Sequence, residues 1–164
     1  MPVEDSNRTV AAILSTPGRP LLVYGTVLPW HTDKGSAEKA RNWEEQYRVI
    51  PMQGREWASL REQYPDVDLC VAGDLNMNLG GPRYYGTREG REMLRAALDA
   101  AGLVCVTETE RVPAGKLHQG PIDHLCVSAP LARRSKVHDA WEGVDAEGVH
   151  LSDHSGVVVE IEER

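Results

Sequence analysis

Phenylalanine is absent from all 164 residues, so four tryptophans and five tyrosines must supply the aromatic packing. Cysteine is scarce. Cys70, Cys105 and Cys126 lie far apart, each inside an apolar run. An odd count at such spacings fits neither a zinc motif nor a disulfide framework. The three read as small buried hydrophobes in a reducing compartment. Positive charge is in deficit: 18 Lys and Arg against 25 Asp and Glu leave a net charge of −7. That argues against the basic stripe of a protein held to nucleic acid by broad phosphate neutralisation. A nucleic-acid substrate stays open, because a bound metal ion can supply positive charge locally. No apolar run exceeds strand length, so no membrane-spanning segment is expected. Residues 1–8 carry no basic region followed by an apolar one, so no secretion signal is expected and the location predicted is cytoplasmic.

The length suits one domain over residues 1–164, large enough to bury a core. Alternation predicts strands over 8–14 and 21–28, joined at Pro17-Gly18 as an antiparallel hairpin. Pro29 to Asp33 then form a loop. From Ala37 to Tyr64 the apolar period becomes helical, through Trp43, Tyr47, Ile50, Trp57, Leu60 and Tyr64. Pro51 is expected to break or bend that helix near Val49, and its aromatics are expected in the core. Residues 67–75 are almost wholly apolar, which suits a strand buried on both faces. After a Gly- and Asn-rich loop, Thr87 is a candidate N-cap and Gly102 a C′ glycine for a helix ending at Ala101. Further strands are predicted over 103–107, 122–128, 137–141 and 156–161. Seven strands and two helical regions, with several strands adjacent in sequence, imply an α+β fold or a β-sandwich flanked by helices.

Three short pieces carry the chemistry: Gly73-Asp74-Leu75-Asn76, Ile122-Asp123-His124 and Ser152-Asp153-His154. Each sets a carboxylate at the end of an apolar run. Carboxylates converging from separate strand ends make an oxygen-rich site for a hard cation such as Mg²⁺ or Mn²⁺. Taken singly, GDLN is as well read as a turn closed by Asx hydrogen bonds, and Ser-Asp-His as a solvated turn before a strand. Asp123 instead sits at a strand entrance in apolar surroundings, where a carboxylate needs a partner such as a histidine. Asp123 and His124 must point to opposite faces of their strand, so only one can reach a shared site. His124 is expected to be a satisfied structural histidine, as are His118, His138 and His150.

Together, and in this order, GDLN, PIDHLCVS and LSDHSGVVVEI resemble the endonuclease/exonuclease/phosphatase superfamily, whose members are DNase I-like. The resemblance runs from about Arg8 to Glu162. It implies a DNase I-like β-sandwich flanked by helices and hydrolysis of phosphate esters by activated water. Asp74 would orient or deprotonate that water, and Asn76 would hold it or a phosphoryl oxygen. Asp123 would orient His154, and His154 would meet the phosphoryl group. Asp153, with Asp74 and Asn76, would hold Mg²⁺ or Mn²⁺. Thr26 to His31 resembles the family strand that ends in a catalytic His or Tyr, which places His31 across the phosphate.

Family members are longer and begin with strands bearing an Asn and then the Glu that is the principal metal ligand. Nothing before Arg8 matches these, and Glu4 is not assigned to that role. The expectation is therefore a domain without the N-terminal strands, exposing an apolar face or open edge that a second copy or a partner chain would cover. The functional reading is a metal-dependent phosphodiesterase, nuclease-like, acting on a phosphate ester or on nucleic acid. The alternatives are a silent remnant serving as a binding module and half of a split enzyme. Arg83, Tyr84, Tyr85 and Arg88 read either as substrate contacts or as plain loop surface.

Overall fold

The computed structural model describes residues 3–36 and 39–162. The chain runs β1 (Thr9–Leu14), β2 (Leu21–Val27), α1 (Glu44–Gln63), β3 (Asp68–Asp74), α2 (Arg88–Ala100), β4 (Leu103–Cys105), β5 (Asp123–Ser128), α3 (Ala129–Ala132), β6 (Ser135–Trp141) and β7 (Gly156–Ile161). The predicted strands all form, within a few residues of their expected bounds. The short α3 and a 3₁₀ turn at Thr109–Arg111 were not foreseen.

β1 and β2 pair antiparallel as expected. β2 then pairs parallel with β3, which requires a crossover, and α1 supplies it. A five-stranded sheet results, in the order β1-β2-β3-β5-β4, and β6 and β7 form a separate antiparallel pair. On one face of the large sheet, Leu22, Tyr24, Leu69 and Val71 pack with Ile50 and Trp57 of α1 and Leu94 and Leu98 of α2. On the other face Cys70, Val106, Val127 and Leu131 meet Val159 of β7. The α+β sandwich read from the sequence is this arrangement of helices, large sheet and small sheet. Towards β1 the second face is bare: Val10 is 69% exposed and Leu14 49%.

Pro51 does not divide α1, which runs unbroken through it. Pro51 removes one helical hydrogen bond, at a cost of ~3 kcal/mol. It sits on the exposed side, so the carbonyl freed one turn back, at Tyr47, is also on the side nearer water. Val49, Ile50, Trp57 and Leu60 are buried on either side of it. Their burial, about 1.5–3 kcal/mol for a large apolar side chain, offsets the loss. Ala37, where the helical period was expected to start, lies outside the described residues. Thr87 does cap α2, accepting a hydrogen bond from the Gly90 amide at 2.9 Å, and Gly102 closes it at φ 63°. The three cysteines are free and buried. Among the described residues, no helix is long and apolar enough to cross a membrane.

Candidate active site

The site grows from the pairing of two strands. Asp74 ends β3, Asp123 begins β5, and the antiparallel register sets the two directly opposite each other. Gly73 makes this possible. It holds φ 139°, which favours glycine, and lies against the Thr26 backbone of β2. After Asp74 the chain turns sharply: Asn76 adopts φ 49°. Its amide N–H and its Nδ2 both donate to the Asp74 carboxylate, at 2.8 Å each. Nδ2 also donates to the Leu28 carbonyl at 2.8 Å. From α1, Nε2 of the buried Gln46 donates to the carbonyls of Leu75 and Asn76. The turn is thereby fastened to β2 and α1. With Nδ2 so engaged, the Oδ1 end of Asn76 is what it can offer to the pocket it lines.

His154 comes from the segment before β7. Its Nδ1 meets Asp123 Oδ2 at 2.6 Å, which leaves Nε2 free of that bond. The hydrogen bond to Asp123 raises the His154 pKa above its ordinary value of 6.5, against the opposing effect of partial burial. Burial likewise holds the Asp74 carboxyl above the usual carboxylate range, and the charge of Asp123 adds to this. Ligand atoms of Asp74, Asp123 and His154 all lie within 4.8 Å of one another. Two carboxylates and an imidazole at such separation suit a divalent cation, Mn²⁺ accepting the nitrogen more readily than Mg²⁺.

A pocket of about 230 Å³ adjoins this cluster, lined by Asn76, Tyr84, Tyr85, Asp153, His154 and Glu142 among others. The three sequence pieces therefore meet in space. Asp153 is exposed and lines the pocket but is outside the three-residue cluster. His31 is outside it too, with its ring 5.8 Å from Trp43 and 6.4 Å from Tyr85, centre to centre. His124 is the satisfied core residue expected: Nε2 contacts the Met77 carbonyl at 3.0 Å and Nδ1 the Thr107 hydroxyl at 3.1 Å. Glu4 lies elsewhere, its amide bonded to Glu56 of α1.

Of Arg83, Tyr84, Tyr85 and Arg88, the tyrosines reach the pocket. The arginines are engaged elsewhere, Arg83 with the Gly86 carbonyl and Arg88 with Glu92. Burial pushes the Tyr84 phenol up to about 12, and the Glu142 charge adds to it. Tyr85 is raised by burial and then by Asp74. Both phenols thus keep their protons at neutral pH. Glu142 was missed by sequence reasoning. It follows β6 with no motif around it, and only the return of β7 brings it to the pocket.

The Asp123–His154 pair has a consequence for stability without metal. A histidine whose folded pKa exceeds its unfolded value adds stability that is complete below about 6.5 and fades as pH rises through the folded value. The Tm advantage of the wild type over Asp123→Asn should therefore shrink between pH 6 and pH 9 in EDTA. An advantage that is constant or growing would show that the pair does not titrate as a unit.

No protein-family model and no curated protein matches the chain. Solved structures do resemble it. An AP endonuclease from Archaeoglobus fulgidus superposes with a TM-score of 0.62 at 17% identity, over 98% of this chain and 67% of its own. The 3′ phosphatase NExo from Neisseria, bound to a product DNA hairpin, gives 0.64 at 17% identity, over 95% and 65%. Sphingomyelinase C from Streptomyces griseocarneus gives 0.54 at 18% identity, over 95% and 58%. The chain thus spans about two thirds or less of these structures' length. At such identities the likeness is one of fold.

Proposed function

We infer that this chain, whose fold is the DNase I-like one, is a divalent-metal-dependent phosphoesterase that cleaves phosphodiesters with an activated water. The observation that carries the reading is the meeting of Asp74, Asp123 and His154 within 4.8 Å beside a pocket. Phosphoryl transfer asks little covalent chemistry of a protein; it asks for positioning and for charge where charge develops. Asp74, with its raised proton affinity, orients the attacking water and draws its proton. Asn76 fixes the Asp74 carboxylate and presents its own amide oxygen. Asp123 holds the His154 ring so that Nε2 faces the phosphoryl oxygens, and the raised pKa keeps that ring charged further towards neutrality. A Mg²⁺ or Mn²⁺ ion would be held by the Asp74 and Asp123 carboxylates with Asp153 near by. When bound it would supply Lewis-acid charge to the phosphate oxygens. Glycerophosphodiesters, small aryl diesters and nucleic acid all fit this chemistry. The solved structures of the same fold include an AP endonuclease, a 3′ phosphatase bound to a product DNA hairpin and a sphingomyelinase C.

The test is hydrolysis of plasmid DNA and of bis(p-nitrophenyl) phosphate with Mg²⁺ or Mn²⁺, run beside a melting curve. The expected result is turnover abolished by EDTA and a Tm raised by several degrees at millimolar metal. A ligand at a hundred times its Kd adds about 2.7 kcal/mol of stability. Asp123→Asn should remove most of that rise. A metal shift without turnover would leave a binding module in place of the enzyme, and neither effect would end the reading.

A further inference from the structure

Beside the site three rings from three segments come together. His31 follows β2, Trp43 stands immediately before α1, and Tyr85 lies in the loop between β3 and α2. Trp43 and Tyr85 are 5.4 Å apart at 76°, and His31 meets Tyr85 at 86°. The sequence assigned Trp43 to the core. Instead it is half-buried, and His31 is exposed. The trio is also held in an unusual way. Trp43 adopts φ 70°, a conformation that bulky side chains avoid, and its N–H donates to the His31 carbonyl at 3.0 Å. Strain of this kind persists where the surroundings impose it, and it gathers at ligand clamps. Tyr85 belongs to both places. It lines the catalytic pocket and touches both other rings. A group attached to a phosphate in that pocket would therefore have aromatic surface beside it.

The charge around the pocket narrows the substrate further. Among the described residues its lining contains Asp153 and Glu142 and no Lys or Arg, and the whole chain carries −7. A long phosphate backbone would meet acidic groups in this pocket. Affinity must then come from what the phosphate is attached to, and base–aromatic stacking is the interaction that such rings provide.

We propose that the His31–Trp43–Tyr85 cluster is a stacking subsite for an unpaired nucleobase whose own phosphate lies at Asp74 and His154. This rests on the phosphoesterase reading and names its substrate class. Two sources share the chemistry, a free nucleotide and an unpaired position in a single strand.

The experiment is calorimetric titration with Mg²⁺ present, using adenosine monophosphate, ribose phosphate, a single-stranded oligo(dA) and a fully paired DNA hairpin. Adenosine monophosphate should bind about tenfold more tightly than ribose phosphate, the increment of one stacked base. Trp43→Leu and Tyr85→Leu should each remove most of that difference while ribose phosphate binding holds in Trp43→Leu. Oligo(dA) tighter than the mononucleotide identifies a single strand as the source, and equal affinities identify the nucleotide. The proposal falls if ribose phosphate binds as well as adenosine monophosphate. It falls equally if the hairpin binds at least as well as oligo(dA), or if the preference for the base survives both substitutions. Should Trp43→Leu fail to fold by circular dichroism, Tyr85→Leu and His31→Ala carry the same comparison. Base-dependent binding in a protein that hydrolyses nothing would sink the phosphoesterase reading and leave the subsite standing.

Discussion

Asp74→Asn should lower kcat for phosphodiester hydrolysis about a thousandfold, with the melting temperature within a few degrees of wild type. Removing a positioned acid–base group costs about 10²–10⁴ in rate. Asp74 is expected near the upper part of that range, because it would position the water and share the metal. The substitution keeps size and shape. Its local cost is one donor set against another: the new amide would face the Asn76 N–H and Nδ2, which now both donate to Asp74. The local gain is relief of a half-buried charge opposed to Asp123. The two effects oppose each other, which is why stability should change little while chemistry is lost. Steady-state kinetics with saturating metal, beside thermal denaturation, makes the measurement. Activity within tenfold of wild type would remove Asp74 from the chemical step.

Gly73→Ala should cost more than any other single-methyl change in the chain. A Cβ at this position would stand 2.0 Å from the Thr26 carbonyl oxygen, and φ 139° is hostile to any side chain. The obstacle is backbone in the neighbouring parallel strand, so no rotamer can give way. Either β2 and β3 separate or the β3 tip rotates, and the second option swings Asp74 away from Asp123. The expected loss is at least 4 kcal/mol, placing it in the exceptional tail of point mutations. At roughly 2–4 °C per kcal/mol for a chain of this size, Tm falls by about 8–16 °C or the protein does not fold. Gly25→Ala is the control. Its Cβ would meet a side-chain methyl of Val10 at 3.2 Å, on an exposed residue free to move. A Gly73→Ala protein that melts with Gly25→Ala would show that the strand tip is softer than its geometry implies.

Much of this was legible beforehand, for definite reasons. β3 announced itself by an apolar run, α2 by Thr87 and Gly102, and the carboxylates by their place at strand ends. Each signal is local, and local chemistry survives folding. Of the break or bend expected at Pro51 the break does not form, because Pro51 acts within its own turn, whereas the packing that outweighs it lies on Leu22, Tyr24 and α2. Trp43 looked like core because it fits the helical period; a backbone turn at φ 70° removed it from that face, and no residue pattern marks such a turn. Glu142 reaches the pocket through the antiparallel return of β7, a long-range event without a sequence signature. His31 was placed across the phosphate by the resemblance of Thr26 to His31 to a family strand; its ring stands against Trp43 and Tyr85, outside the three-residue cluster.

The two halves of the proposed catalytic cluster stand on unequal ground. Asp74 and Asp123 belong to paired strands at the centre of the five-stranded sheet, with neighbours on both sides. His154 follows an exposed excursion, residues 144–153, pinned chiefly by a bridge between Val144 and His150 and by bonds to Gly143. It precedes a strand of the two-stranded ribbon, which joins no ladder of the five-stranded sheet and packs on it through side chains such as Val159. Segments of that kind open locally at a fraction of the free energy needed to unfold the whole. In such an opening Asp123 would lose its imidazole while the central ladder stayed intact. Warming would then silence the molecule first and melt it afterwards, and recovery on cooling would need only the ribbon to reseat.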